Sequence, residues 1–383
     1  MKYYIIAGEA SGDLHGSNLI KELKILDAGA DVRAWGGDKM QALGIKLVKH
    51  HKDLAFMGFT EVIKNLPTII KNLNYCKQDI LNYHPDALVL IDYPGFNLRL
   101  VKWAKENNLK VIFYISPQVW AWKESRVSLI KNYVDKMIVI LPFEKEFYKK
   151  FNYDVEYVGH PLVKVVEDYK LQNQLSVTNY KLPATGNRQP ATGNIIALLP
   201  GSRKQEIKRK LPVMLQTSKH FPEYNFIVAK APGITDEFYN TFLSPYKNVS
   251  AVADQTYSIL IRSKAALVTS GTATLETALF EVPEIVCYKA GELSYQIARR
   301  LIKLKFISLV NLIMNKEVVK ELIQNDLTVE NSKHALHELL TNENRKQQIK
   351  NDYRDLKNLL SQGGNASANA AKIIYDFTKV SGH

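Results

Sequence analysis

Cysteine is nearly absent from these 383 residues: Cys76 and Cys287 are the only two, and they lie far apart in sequence. That excludes a disulfide framework and a cysteine-built zinc site, and it fits a reducing cytoplasm. Long apolar runs are missing as well. No stretch approaches the roughly 18 residues that would span a bilayer, and no basic-then-apolar leader precedes the first strand-like run, so the chain reads as soluble or peripheral. Acidic residues are the minority, 38 against 51 basic ones, for a net charge of +13. Such a balance favours an anionic partner: nucleic acid, an acidic lipid surface or a phosphorylated substrate. The nine histidines form no metal-binding pattern; His334 and His337 share a helix side without a third ligand.

What is present is ample apolar content, 46% of the chain, enough for two cores; the length suits two domains of roughly 150 to 200 residues. Strand-like runs at 3–7, 87–91, 110–115 and 136–140 alternate with amphipathic stretches near 14–26, 60–82, 97–107 and 126–133. A second series has runs at 195–199, 226–228, 265–268 and 284–287. Alternation of this kind predicts α/β architecture with parallel sheets and crossover helices, in two doubly wound domains. Residues 171–194 are polar and carry PATGN twice, at 183–187 and 190–194, which reads as a flexible linker or insertion. After about 315 the strand signal fades, and helices are predicted near 315–324, 328–341, 344–361 and 366–379. The expected domains are therefore 1–170, 195–345 and a helical tail, 346–383, packing back on the first.

Four loops at strand ends concentrate the chemistry. The first, Gly8-Glu9-Ala10-Ser11-Gly12-Asp13, joins a buried strand to an amphipathic helix and carries two carboxylates. It lacks the lysine of a phosphate-binding P-loop and the glycine spacing of the dinucleotide motif. Asp13 near a helix start suits capping equally well, and His15 beside the loop reads as a surface histidine. Asp92 follows the run 87–91 at its carboxyl end, the place where α/β proteins put chemistry, although an Asp before Pro94-Gly95 also caps turns. In the second half, Gly201-Ser202-Arg203 leads into a basic helix, Lys204 to Lys210, whose cations read as a solvated face. Ser270-Gly271-Thr272 opens another helix, with Glu276 one turn on. Backbone amides at such helix starts, with Arg203, would hold a diphosphate, and Glu276 a ribose. Together these loops suit a cleft between paired domains.

Five motifs carry a family resemblance: GEASGD at 8–13, IDYPGFN at 91–97, YISPQVWAW at 114–122, LPGSR at 199–203 and SGTATLE at 270–276. In this order they resemble lipid-A-disaccharide synthases, nearly end to end, with only 171–194 foreign to the pattern. The resemblance implies two Rossmann-like domains of the GT-B type, nucleotide-sugar on the C-terminal one and acceptor on the N-terminal one. It implies transfer of 2,3-diacylglucosamine from UDP-2,3-diacylglucosamine to 2,3-diacylglucosamine 1-phosphate, with inversion, giving the β-1,6-linked disaccharide 1-phosphate and UDP. Direct displacement needs a base and a charge-stabilising diphosphate site. Asp92 is the candidate base, with Glu9 its rival or orienting partner. Gly201, Ser202, Arg203, Ser270, Gly271, Thr272, Glu276 and Asn311 are the candidate UDP-sugar contacts. No Asp-x-Asp pair stands at a strand end, so neither a metal nor another cofactor is expected.

From Phe59 onward, Val62, Ile63, Leu66, Ile69, Ile70 and Leu73 recur at helical intervals with Lys64 and Lys71 between them. Such a stripe usually faces a core; with acylated substrates it also suits docking on the inner face of the cytoplasmic membrane. Arg299, Arg300, Lys303 and Lys305 would add attraction to acidic headgroups. No nucleic-acid partner is expected, and a homodimer stays open, the C-terminal helices packing on their own chain or a partner's. The alternatives are another UDP-sugar enzyme of the same fold, an epimerase or a lipid-linked glycosyltransferase, and a non-catalytic basic lipid- or RNA-binding protein.

Overall fold

Strands buried on both faces read as unbroken apolar runs rather than as alternating ones, and two such strands lie at the centre of each sheet. The computed structural model describes residues 1–53, 66–122, 124–174, 194–292, 295–296 and 304–380. The chain divides into two units, residues 1–161 with 360–383, and residues 162–359.

The first unit is built on β1 (Lys2–Ala7), β2 (Asp31–Gly36), β3 (Lys46–His50), β4 (Ala87–Ile91), β5 (Val111–Tyr114), β6 (Lys136–Val139) and β7 (Glu156–Tyr157). They form one sheet in the order β3-β2-β1-β4-β5-β6-β7, every pairing parallel. In the second unit, β8 (Ile195–Leu199), β9 (Asn225–Lys230), β10 (Val249–Ala253), β11 (Ser263–Thr269), β12 (Glu284–Tyr288) and β13 (Lys320–Ile323) form the order β10-β9-β8-β11-β12-β13, again all parallel. Both sheets reverse winding direction once, between β1 and β4 and between β8 and β11. These are the topological switch points at which doubly wound sheets bind ligands.

The predicted α/β class with Rossmann-like sheets is the observed fold, and the sheets are wider than the apolar runs indicate. The additional strands lie toward or at the edges. There β3 is half-exposed throughout, β7 is two residues long, and β2 is interrupted by Arg33, so none offers a continuous apolar signal. The helix expected near 315–324 is corrected: a helix runs over Leu309–Met314, Asn315 ends it in the left-handed region, and β13 follows on the edge beside β12.

The helix Pro161–Gln174 begins at the unit boundary and bonds into the second unit. Tyr169 and Ser258 share a hydroxyl hydrogen bond of 2.6 Å, and Lys170 Nζ donates to the Leu279 carbonyl at 2.9 Å. The last helix, Ala366–Val380, packs on Ala10–Leu26 of its own chain. There Asn365 Nδ2 donates to Glu22 Oε1 at 3.2 Å, and Lys110 Nζ to the Thr378 carbonyl at 2.5 Å. A buried polar chain fixes the helix Leu66–Tyr83 on the first sheet. Trp35 Nε1 donates to Tyr4 Oη at 2.8 Å, Tyr4 Oη to Asp79 Oδ2 at 2.7 Å, and Arg33 pairs with the other oxygen of Asp79.

Candidate functional site

Ala7 faces Ile91 in the parallel register of β1 and β4, so the residues that follow each strand emerge side by side at the first switch point. Beyond Ala7 the chain passes Gly8 and Glu9 and starts the helix Ala10–Leu26 with Glu9 extended at its N-cap. Beyond Ile91, Asp92 and Tyr93 both take left-handed backbone angles, φ 44° and 47°, a conformation that costs a side-chain-bearing residue energy and concentrates at functional sites. Asn97, fully buried, holds that turn: its Nδ2 donates to the Asp92 carbonyl at 2.8 Å and to the Ile91 carbonyl at 3.3 Å. The turn lays the Tyr93 ring over Gly8. A Cβ at Gly8 would lie 2.2 Å from that ring, so only glycine allows the two loops to close on each other.

The Asp92 carboxyl is half-buried and is pushed up to about 7 by burial and then by the charge of Glu9, against a stabilising hydrogen bond from the Tyr93 amide. A carboxyl poised there can take a proton near neutral pH. The structure thus brings the two candidate catalytic carboxylates together. It gives Asp13 a supporting place instead: buried, it accepts from the amides of Gly37 at 2.8 Å, Lys39 at 3.0 Å and Met40 at 3.1 Å. His15 is not on the surface, as its sequence position suggests. It is buried with Nδ1 unpartnered, and burial lowers its pKa to about 4.

A second raised carboxyl, Glu144, explains part of the YISPQVWAW motif. Its Oε1 accepts from Trp120 Nε1 at 3.2 Å and its Oε2 from the amides of Ile140 and Leu141 at 3.3 and 3.0 Å, while burial raises it to about 7. Both oxygens are occupied by internal donors, so Glu144 ties the loops after β5 and β6 together.

The second switch point repeats the arrangement with different residues. After β8, Gly201 takes φ 122°, a value closed to other residues, and the helix Lys204–Ser218 starts without a side-chain cap. After β11, Gly271 (φ 138°) precedes the helix Thr272–Leu279, also uncapped by any side chain. At neither helix start does the N-cap side chain make a capping hydrogen bond, an arrangement that favours an anion by geometry and dipole together, while the Glu206 carboxylate lies against Gly201. Ser202 and Arg203 are exposed, and Arg203 Nη1 lies 3.1 Å from Glu206 Oε1. Ser270 Oγ donates to the Ile307 carbonyl at 2.9 Å, fixing its loop from below. Glu276 accepts from Tyr257 Oη at 2.8 Å and is raised by burial.

Asn311 sits deeper than a contact residue. Fully buried, it donates from Nδ2 to Glu321 Oε1 (2.9 Å) and the Val319 carbonyl (2.8 Å) and accepts on Oδ1 from the amides of Val318 and Val319 (2.8 and 2.9 Å). Its amide is fully engaged inside the fold. Lys210 departs furthest from its sequence reading, being buried rather than solvated and bonded to Thr269 Oγ1. Its place in the stripe Ile207, Leu211, Met214 is the signal that marks it as inward-facing.

The apolar stripe of the first unit splits. Val62 and Ile63 lie outside the described residues. Leu66 and Ile70 are 42% and 48% exposed, Ile69 is half-buried, and Leu73 belongs to the core. Leu66, Pro67, Ile70, Lys71 and Asn74 line an open cavity of about 530 Å³. Of the four cations proposed for headgroup attraction, Arg299, Arg300 and Lys303 lie outside the described residues. Among the described residues no helix is long and apolar enough to cross a membrane.

A family model described as lipid-A-disaccharide synthetase matches residues 3–374. The lipid-A-disaccharide synthase of Coxiella burnetii (strain CbuG_Q212) is 36% identical over 376 residues, 97% of each chain. Lipid-A-disaccharide synthase 1 of Legionella pneumophila (strain Lens) is 39% identical over 363 residues, covering 93% of this chain and 92% of the relative. Among solved structures, UDP-GlcNAc 2-epimerase from Neisseria meningitidis bound to UDP-GlcNAc superposes with a TM-score of 0.66 at 14% identity, covering 98% and 99% of the two chains. The calicheamicin glycosyltransferase CalG4 superposes with a TM-score of 0.60, also at 14% identity, covering 100% and 99%. At that identity the structural likeness shows the fold, of the GT-B type shared by epimerases and glycosyltransferases; the sequence match separates them. The chain belongs to the lipid-A-disaccharide synthetase family and is a glycosyltransferase of lipid A biosynthesis.

Proposed function

We propose that the chain transfers 2,3-diacylglucosamine from UDP-2,3-diacylglucosamine to the 6-hydroxyl of 2,3-diacylglucosamine 1-phosphate, with Asp92 as the base. The observation that carries this reading is the Asp92 carboxyl, held near 7 at the carboxyl end of β4 beside Glu9. In the reaction the hydroxyl's proton passes to Asp92, its oxygen bonds to the anomeric carbon from the face opposite the diphosphate, and the bond from that carbon to the diphosphate breaks. UDP leaves, and the configuration inverts. Glu9 raises the proton affinity of Asp92 and orients the acceptor.

In this reading the first unit holds the acceptor and the second the nucleotide. The amides around Gly201, Ser202, Gly271 and Thr272, with Arg203, stabilise the charge that develops on the departing diphosphate; Glu276 meets the ribose. Asn311 and Ser270 act as positioning residues, through Glu321 and the Ile307 carbonyl. Leu66 and Ile70, with Lys71 beside them, seat acyl chains and dock the enzyme on the inner face of the cytoplasmic membrane. The purified protein, given both substrates, is expected to form disaccharide 1-phosphate and UDP in equal amounts; formation of neither overturns the reading.

A further inference from the structure

We propose that Lys210 is a positioning residue for the nucleotide's diphosphate: from beneath the loops after β8 and β11 it holds them in register and supplies buried positive charge. The inference rests on the reading that the second unit binds the UDP group.

Lys210 stands on the helix Lys204–Ser218 and is 3% exposed. Lysine is among the residues least often buried, and an apolar side chain would fill this position at lower desolvation cost. Its Nζ bonds to Thr269 Oγ1. Thr269 is the last residue of β11 and immediately precedes Ser270-Gly271-Thr272. The bond therefore joins the helix that follows β8 to the end of β11, across the switch point, and sets the two uncapped helix starts against each other. The ammonium also lies against the first loop: a Cβ built on Gly201 would be 3.4 Å from Nζ, with Glu206 Oε2 at 2.5 Å.

The surrounding charges point to a ligand. Burial pulls the Lys210 pKa down from its ordinary value; Glu206 and Cys287 favour its charged form, while Arg203 and Arg209 oppose it. Three cations, Arg203, Arg209 and Lys210, thus share a neighbourhood with one carboxylate, Glu206, which is already paired with Arg203. The cluster keeps an excess of positive charge around a glycine loop. An anion bearing two or more charges at the helix starts would balance it, and a diphosphate has that charge and that length. The charge is placed before the ligand arrives, so no reorganisation is needed when UDP departs with its developing charge.

The test is binding of uridine, UMP and UDP by calorimetry to the wild type and to Lys210→Met, Lys210→Gln and Thr269→Val. Wild-type affinity is expected to climb from uridine to UMP to UDP. Lys210→Met should weaken UDP by about 10- to 100-fold, weaken UMP less, and leave uridine unchanged. Lys210→Gln keeps a donor for Thr269 without the charge and should give the same graded loss, which serves where the methionine variant fails to fold. Thr269→Val keeps the charge, loses the anchor and should weaken UDP by a smaller factor. Equal weakening of all three ligands, or unchanged UDP affinity in the lysine variants, overturns the inference. A wild type that binds none of the three overturns the reading beneath it.

Discussion

Glu9 and Asp92 leave the sheet from one register pair, Ala7 opposite Ile91, and the charge of Glu9 helps hold the Asp92 carboxyl near 7. A base must be ionised to accept a proton, so kcat/KM is expected to rise with pH, reach half its plateau near 7 and stay level above. Removing the neighbouring charge in Glu9→Gln lowers the Asp92 pKa, and the rising limb should move to lower pH. Asp92→Asn should reduce kcat by about 100- to 10,000-fold with UDP affinity intact. Initial rates of UDP release across pH check all three; a larger loss in Glu9→Gln than in Asp92→Asn would exchange their roles.

The same carboxyl costs stability at alkaline pH. Its folded pKa stands above the ordinary carboxylate value, so between about pH 4 and pH 7 the folded state binds more protons than the unfolded one, and stability falls as pH rises through that window. Asparagine removes the buried charge. Asp92→Asn is therefore expected to melt higher than the wild type at pH 8, by about 1 to 4 kcal/mol of stability, and to show no such gain at pH 4. Melting curves at the two pH values decide it.

How far the sequence reveals this site depends on whether a residue's task is local. Asp92, Glu9 and the two glycine loops are legible because each follows an apolar strand at once, and a strand's carboxyl end is where doubly wound sheets react. Lys210 is legible as inward-facing from its stripe, but its partner is not, because Thr269 lies 59 residues away and is brought close only by the sheet order. Asn311 misleads in the opposite sense: a polar residue near the site is expected to touch ligand, yet its amide is taken up by Glu321, Val318 and Val319. Edge strands such as β3 and β13 escape the apolar-run signal because one side of each meets solvent.

The contact between Gly8 and Tyr93 makes a steric prediction. A methyl group at Gly8 would lie 2.2 Å from the Tyr93 ring, which stacks on Phe96 with centroids 5.7 Å apart. Gly8→Ala must displace the ring and with it the strained turn that carries Asp92. A loss of about 1 to 3 kcal/mol is expected, with activity reduced further. Gly95→Ala is the control, since nothing lies within 4 Å of a Cβ there; it should melt and turn over like the wild type.

The helix Leu66–Tyr83 passes from an exposed face to a core face within two turns. Ile70 is 48% exposed beside Lys71 on the open cavity, and Leu73 is 9% exposed in the core. A charge at Ile70 meets water in the free protein and acyl chains only on a bilayer, so Ile70→Asp should leave the melting temperature unchanged while lowering sedimentation with anionic vesicles. Leu66→Asp should behave alike, and the double variant should lose more than either, because each exposed apolar side chain adds its own share of membrane affinity. Leu73→Asp puts an unpaired carboxylate into the core and should melt far lower or fail to fold. Vesicle binding unchanged in the double variant would remove the docking role from this helix and leave its exposed face to the acyl chains of the substrates alone.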